Sequence, residues 1–170
     1  WDIQVVDTDG DVGMHQAMAL APDGSPRIVY SDNTNPGIKL ASWTGSSWDI
    51  QTVATGNVGQ YNAIAVDSAG QTRIAFYDAT NWRTQSLDYA VWNGSKWEVT
   101  VVDPGTVAGW DISMTLDDWD NAWISYYEYA NGDLRLAHYV PEPAGLGLVL
   151  AGGLALLRRR TPSRGQKNSE

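Results

Sequence analysis

The sequence predicts an all-β fold built from repeated units of short antiparallel strands. Three observations carry this. Tryptophans open matching segments at Trp1-Asp-Ile-Gln-Val-Val, Trp48-Asp-Ile-Gln-Thr-Val and Trp97-Glu-Val-Thr-Val-Val, spaced 47 and 49 residues apart. Within each copy, apolar residues alternate with polar ones at the period of a strand. Turn residues punctuate every copy, and Gly is frequent at 17 of 170 residues. A spacing near 47 falls within the roughly 40–50 residues of one four-stranded propeller blade. The expectation is therefore β-propeller-type repeats of four-stranded antiparallel blades, about three in this chain, near 1–47, 48–96 and 97–139.

The elements follow in the same order in every copy. The Trp strand comes first, with its first, third and fifth residues on one face. After a Gly-rich turn comes a second strand, Gln16–Ala21, Asn62–Asp67 and Ile112–Asp117. Two of the three copies place Ala on one face, at Ala17 and Ala19 and at Ala63 and Ala65, which reads either as small residues for a crowded centre or as alanine merely tolerated there. The next turn is Pro22-Asp-Gly-Ser-Pro, Ser68-Ala-Gly-Gln-Thr or Asp118-Trp-Asp-Asn-Ala, with residues that tolerate positive φ. The third strand is the most regular: Arg27-Ile-Val-Tyr-Ser-Asp, Arg73-Ile-Ala-Phe-Tyr-Asp and Trp123-Ile-Ser-Tyr-Tyr-Glu. Ile28, Ile74 and Ile124 share a face with Tyr30, Phe76 and Tyr126, the face expected to pack between blades. The fourth strand begins at Ile38, Leu87 and Leu134, and Asn93-Gly94 is a strong hairpin signal. After Tyr139 no further Trp strand follows. A terminal strand completing the blade at the other end would suit ring closure, but three blades are one short of the usual minimum of about four. The chain begins with Trp and shows no signal peptide, so missing upstream blades and an upstream export signal are expected.

Composition narrows the function. Nine Trp and eight Tyr stand against one Phe, an aromatic set with polar handles suited to half-exposed sheets. Residues 1–140 hold 18 acids and 6 Lys or Arg, whereas 141–170 hold 2 acids and 5 bases. Such an acidic body excludes nucleic acid as a partner, because binding there rests on neutralising phosphates. Cysteine is absent, which removes disulfides, thiolate chemistry and Cys-based zinc sites.

Candidate chemistry is sparse. Asp7, Asp9 and Asp11 alternate before Gly13 in the manner of a calcium loop, but Met18 stands where an EF-hand loop wants Glu. An acidic surface turn is the favoured reading and calcium the alternative; no other cofactor is expected. Asp32, Asp78 and Glu128 match at the end of the third strand. They read either as a ligand rim for sugar hydroxyls or as carboxylates accepting turn N–H groups. Trp82, Trp110 and Tyr129 sit near those loops, where rings can stack on sugars or pack between blades. His15 and His138 occupy non-equivalent positions, and no Ser-His-Asp arrangement is visible. Arg27 and Arg73 sit in repeat-equivalent strands rather than in a separate arginine cluster. A non-enzyme is expected, with a sialidase-like glycosidase fragment as the distant alternative.

Two resemblances add to this reading. Val140-Pro141-Glu142-Pro143, the apolar run Ala144–Leu157 and Arg158-Arg159-Arg160 resemble, in that order, the PEP-CTERM sorting signal of exported bacterial proteins. The resemblance covers 140–160, with a polar tail over 161–170. It implies processing by an exosortase-type protease, membrane anchoring through a short C-terminal transmembrane-like helix before processing, and delivery to the cell surface or outside. Fourteen apolar residues make a helix of roughly 21 Å, short against a hydrocarbon core of about 30 Å. The Arg cluster predicts that this end stays cytoplasmic. The repeats also look like a bacterial propeller-like family, through Ala65, Asp67, Gly70, Ile74, Phe76-Tyr77-Asp78, Leu87-Asp-Tyr-Ala-Val-Trp92 and Gly94. Their strand logic is similar to that of fucose-binding lectins, which implies a carbohydrate-binding alternative, with exopolysaccharide or surface glycan as partner. The main expectation is an exported binding or structural module.

Overall fold

The structure is a computed structural model that describes residues 1–104 and 107–140. Eleven strands form three antiparallel sheets among the described residues: β1 Val12–Leu20, β2 Pro26–Asp32, β3 Gly37–Trp43 and β4 Trp48–Thr55; β5 Val58–Val66, β6 Thr72–Asp78, β7 Ser86–Trp92 and β8 Trp97–Asp103; β9 Ala108–Leu116, β10 Ala122–Glu128 and β11 Asp133–His138. Each sheet is a meander in chain order, so consecutive strands pair through hairpins. We call the sheets repeats 1, 2 and 3. The architecture is all-β with propeller-like repeats. The tail calls at Pro141, Glu142, Pro143, Arg158, Arg159 and Arg160, and the C-terminal helix, lie outside the described residues. No helix among the described residues is long and apolar enough to cross a membrane.

Sequence repeat and sheet are offset by one strand. The Trp strands at 48 and 97 close the sheet before them: Trp43 pairs with Trp48 and Trp92 with Trp97, with rings edge-on at 5.3 and 5.6 Å. The segment Trp1–Val6, expected as a strand, joins no sheet, and Trp1, Ile3 and Val5 are exposed. A strand exists only against a hydrogen-bonding neighbour. Repeat 3 keeps β11 as its edge, so the described chain shows no ring closure.

The innermost strands also begin earlier than expected, because the Gly-rich turns before them are bulged strand starts. Register slips occur between Met14 and Ala17 and between Val58 and Asn62, and His15 and Asp111 take positive φ of 52° and 49°. Gly59 is required at such a start. Its φ is +81°, and a Cβ there would stand 1.9 Å from Ile38 Cγ2.

Two cores hold the repeats together. Between repeats 1 and 2 lie Val29, Ile38, Leu40, Val53, Val58, Ile64, Ile74 and Phe76; between repeats 2 and 3 lie Ala63, Ala75, Leu87, Ala108, Ala122, Ile124 and Tyr126. The alternation explains this division. On β6, Ile74 and Phe76 point to repeat 1 while Ala75 points to repeat 3. Ile74, Phe76, Ile124 and Tyr126 thus fall in the cores between repeats, whereas Ile28 is only half-buried on the outer face of repeat 1.

Candidate functional site

The ends of β2, β6 and β10 place Asp32, Asp78 and Glu128 at one register, each opposite the first residue of the next strand. All three accept backbone N–H groups from the following turn. Asp32 accepts from Asn35 at 2.8 Å, Asp78 from Thr80 at 2.7 Å and Glu128 from Ala130 at 2.8 Å. Asp32 and Glu128 are buried, and each also pairs with a cation, Lys39 at 2.8 Å and Arg135 at 3.3 Å. The Asn35 N–H, with Lys39 beside it, holds the Asp32 carboxyl down to about 2. These two carboxylates are therefore engaged within the protein; Asp78, half-buried, has no cation partner among the described residues.

Each cation reaches a second carboxylate that arrives from the preceding Trp segment. Lys39 lies 3.5 Å from Asp7, which accepts the Tyr30 hydroxyl at 2.7 Å. Arg135 lies 2.8 Å from Asp103, which accepts the Tyr126 hydroxyl at 2.6 Å. Burial, with the Asp103 carboxylate, pushes the Tyr126 phenol up to about 12. The calcium candidates are accordingly separated in role. Asp7 belongs to the Tyr30–Lys39 network, Asp11 accepts from Asn33 Nδ2 at 3.1 Å, and Asp9 donates its N–H to Asp7 at 3.0 Å. No three His, Cys, Asp or Glu side chains gather to hold a metal among the described residues.

The same rim carries an aromatic cluster between repeats 2 and 3. Trp110, at the start of β9, stacks on Tyr61 at 5.6 Å and meets Tyr129 at 4.6 Å and Tyr77 edge-on at 6.3 Å. Tyr127 joins through Tyr129 at 6.4 Å. The cluster is graded in exposure. Tyr77 is buried, with its hydroxyl donating to Gln85 at 2.5 Å, whereas Tyr129 is 56% exposed. The Trp110 indole N–H is buried and has no hydrogen-bond partner among the described residues. The sequence pointed to Trp110 and Tyr129 but not to Tyr61 or Tyr77. Their signal was available in the alternation: Tyr77, next to Phe76, must face the opposite side of β6. Trp82 stands apart on the β6–β7 loop, 73% exposed, with the Arg83 guanidinium 4.7 Å over its ring.

The remaining polar candidates have structural partners. Arg73 binds Asp67 at 2.9 Å and the Tyr89 hydroxyl at 3.2 Å, and Arg27 donates to Thr72 in the adjacent repeat. His138 stacks on Trp123 at 3.8 Å across β10 and β11. His15 lies exposed, and neither histidine is hydrogen-bonded through its ring to a carboxylate or hydroxyl among the described residues. The arrangement offers stacking surface and hydrogen-bonding rims.

No protein-family model and no curated protein matches the chain. Among solved structures, it is similar to a fucose lectin from Kordia zhangzhouensis in complex with methyl-fucoside, at 18% sequence identity and a TM-score of 0.46, covering 73% of this chain and 91% of that one.

Proposed function

We propose that this chain is the repeat region of an exported β-propeller-type protein that binds carbohydrate, with the Trp110 cluster as its stacking surface. The observation that carries this reading is the graded cluster itself. Its rings run from buried Tyr77 to exposed Tyr129, beside an indole N–H without a partner among the described residues. A sugar presents apolar C–H faces that pack on rings such as the exposed Tyr129. Aromatic residues with one wet end suit such a ligand. A glycan array probed with the full chain tests the reading. Binding to at least one glycan is expected, with loss in Tyr129→Ala and retention in Trp82→Ala. No binding on the array, or equal binding by Tyr129→Ala, rejects it.

Delivery to the surface is the second part of the proposal and is supported by the order Pro141-Glu142-Pro143, apolar run, Arg158-Arg159-Arg160. An exosortase-type protease would act near the Pro-Glu-Pro motif, with the arginines holding the far end on the cytoplasmic side. Replacing Pro141, Glu142 and Pro143 by Ala is expected to leave uncleaved protein in the membrane fraction of the producing cell. Normal release of that variant would refute the assignment.

A further inference from the structure

Repeat 2 breaks a pattern that repeats 1 and 3 share. In β3, Lys39 pairs across the sheet with Tyr30; in β11, Arg135 pairs with Tyr126. The residue at that register in β7 is Asp88, which pairs with Phe76. A carboxylate therefore stands where both sister repeats carry a cation. The second carboxylate that each cation reaches, Asp7 or Asp103, corresponds to Ala54 at the end of β4. The first, Asp32 or Glu128, is retained as Asp78.

The exchange leaves two acids and no cation. Asp88 is only 4% exposed, and its sole hydrogen bond among the described residues is from the Ser86 hydroxyl to Oδ1 at 2.7 Å. Its Oδ2 accepts no hydrogen bond among the described residues and is open to solvent. Among the described residues neither Asp88 nor Asp78 enters an ion pair, and burial together with the Asp78 charge pushes the Asp88 carboxyl up. Both acids line a cavity of about 330 Å³, shared with Thr80, Thr84, Ser86 and Val101. Asn81 and Pro104 complete the lining; every polar side chain there carries an oxygen, and Asn81 adds an amide N–H₂.

We propose that this cavity receives the ammonium group of a ligand, in the place that Lys39 and Arg135 fill with the protein's own side chains. A carboxylate in a residue only 4% exposed, with one hydroxyl donor and no counter-ion among the described residues, is costly, and an incoming cation supplies the missing charge. The volume favours an organic cation over a bare ion, being many times the ~30 Å³ share of one water. Two carboxylates are also few for calcium, which gathers about six to eight oxygens. The inference rests on the repeat comparison and stands apart from the aromatic cluster.

The test is an amide NMR titration of the full chain with n-butylammonium chloride and, separately, with calcium chloride. With n-butylammonium, saturable shifts are expected at Asp78, Ser86, Asp88 and Val101. Asp88→Asn should weaken binding by about tenfold, the factor set by losing one modest contact. Asp88→Lys, which restores the sister repeats' cation, should abolish it while the rest of the spectrum stays folded. No saturable shift, or equal affinity in Asp88→Asn or Asp88→Lys, overturns the proposal. Shifts at these residues with calcium alone overturn it in favour of a metal.

Discussion

Repeats 1 and 3 and repeat 2 share one backbone but fill the same seam in opposite ways. The outer two hold a linked polar set, part-buried to buried: Asp7, Tyr30, Lys39 and Asp32 in one, Asp103, Tyr126, Arg135 and Glu128 in the other. Repeat 2 has Ala54, Phe76, Asp88 and Asp78 at those positions. Tyrosine and its aspartate acceptor disappear together, as buried polar groups must be satisfied together or replaced together. The cation disappears as well, but one acid is kept and another added. The difference teaches that the network changes as a unit at its Tyr–Asp end and is left incomplete at its charged end.

The largest effect expected from breaking this comparison is in the apolar solution. Phe76 is 1% exposed in the core between repeats 1 and 2, so Phe76→Ala should cost about 4 kcal/mol in chemical denaturation. Phe76→Tyr is the sharper probe. It places a hydroxyl toward Ala54, which has no side-chain acceptor to match Asp7 or Asp103, and should cost about 2 kcal/mol. Adding Ala54→Asp and Asp88→Lys recreates the sister network and should recover most of that loss. A triple variant no more stable than Phe76→Tyr alone would show that the four positions are not one unit.

The two kinds of charge respond to pH in opposite directions. Asp32 has its folded carboxyl held down to about 2. Its stabilising contribution is present above the unfolded value near 3.8 and is lost as pH falls toward 2. Asp88 has its carboxyl pushed up, so its contribution favours the folded state at low pH and is lost as pH rises through and above 3.8. Thermal melts should therefore show Asp32→Asn destabilised at pH 7, with the gap narrowing below pH 3.8. Asp88→Asn should melt higher than the parent at pH 7, and its advantage should vanish on acidification. The smallest effect is expected at Trp82, 73% exposed, where Trp82→Ala should change stability by no more than about 0.5 kcal/mol.

The strand content was legible because it depends on local alternation and turn chemistry. Arg27-Ile-Val-Tyr-Ser-Asp and its two copies became β2, β6 and β10 to within a residue. The Gly-rich starts at Gly13, Gly59 and Gly109 read as turns because a bulge and a turn use the same positive-φ residue. The Trp1 segment read as a strand because its pattern is that of a strand, yet a pattern supplies no partner. At the rim, the matched acids were visible, but not that Lys39 and Arg135 occupy two of them.

The sequence by itself determined the all-β class, the repeat length, the acidic body and the alternation of each strand, since all of these are properties of neighbours along the chain. Tertiary structure alone decided that Tyr61, Tyr77, Trp110 and Tyr129 meet on one rim and that Asp88 is buried beside Asp78 with no cation on either among the described residues. The physical reason is that a strand's pattern says which residues share a face. What that face meets depends on strands as far as 47 positions away, as between His15 and Asn62, and on how closely their sheets pack.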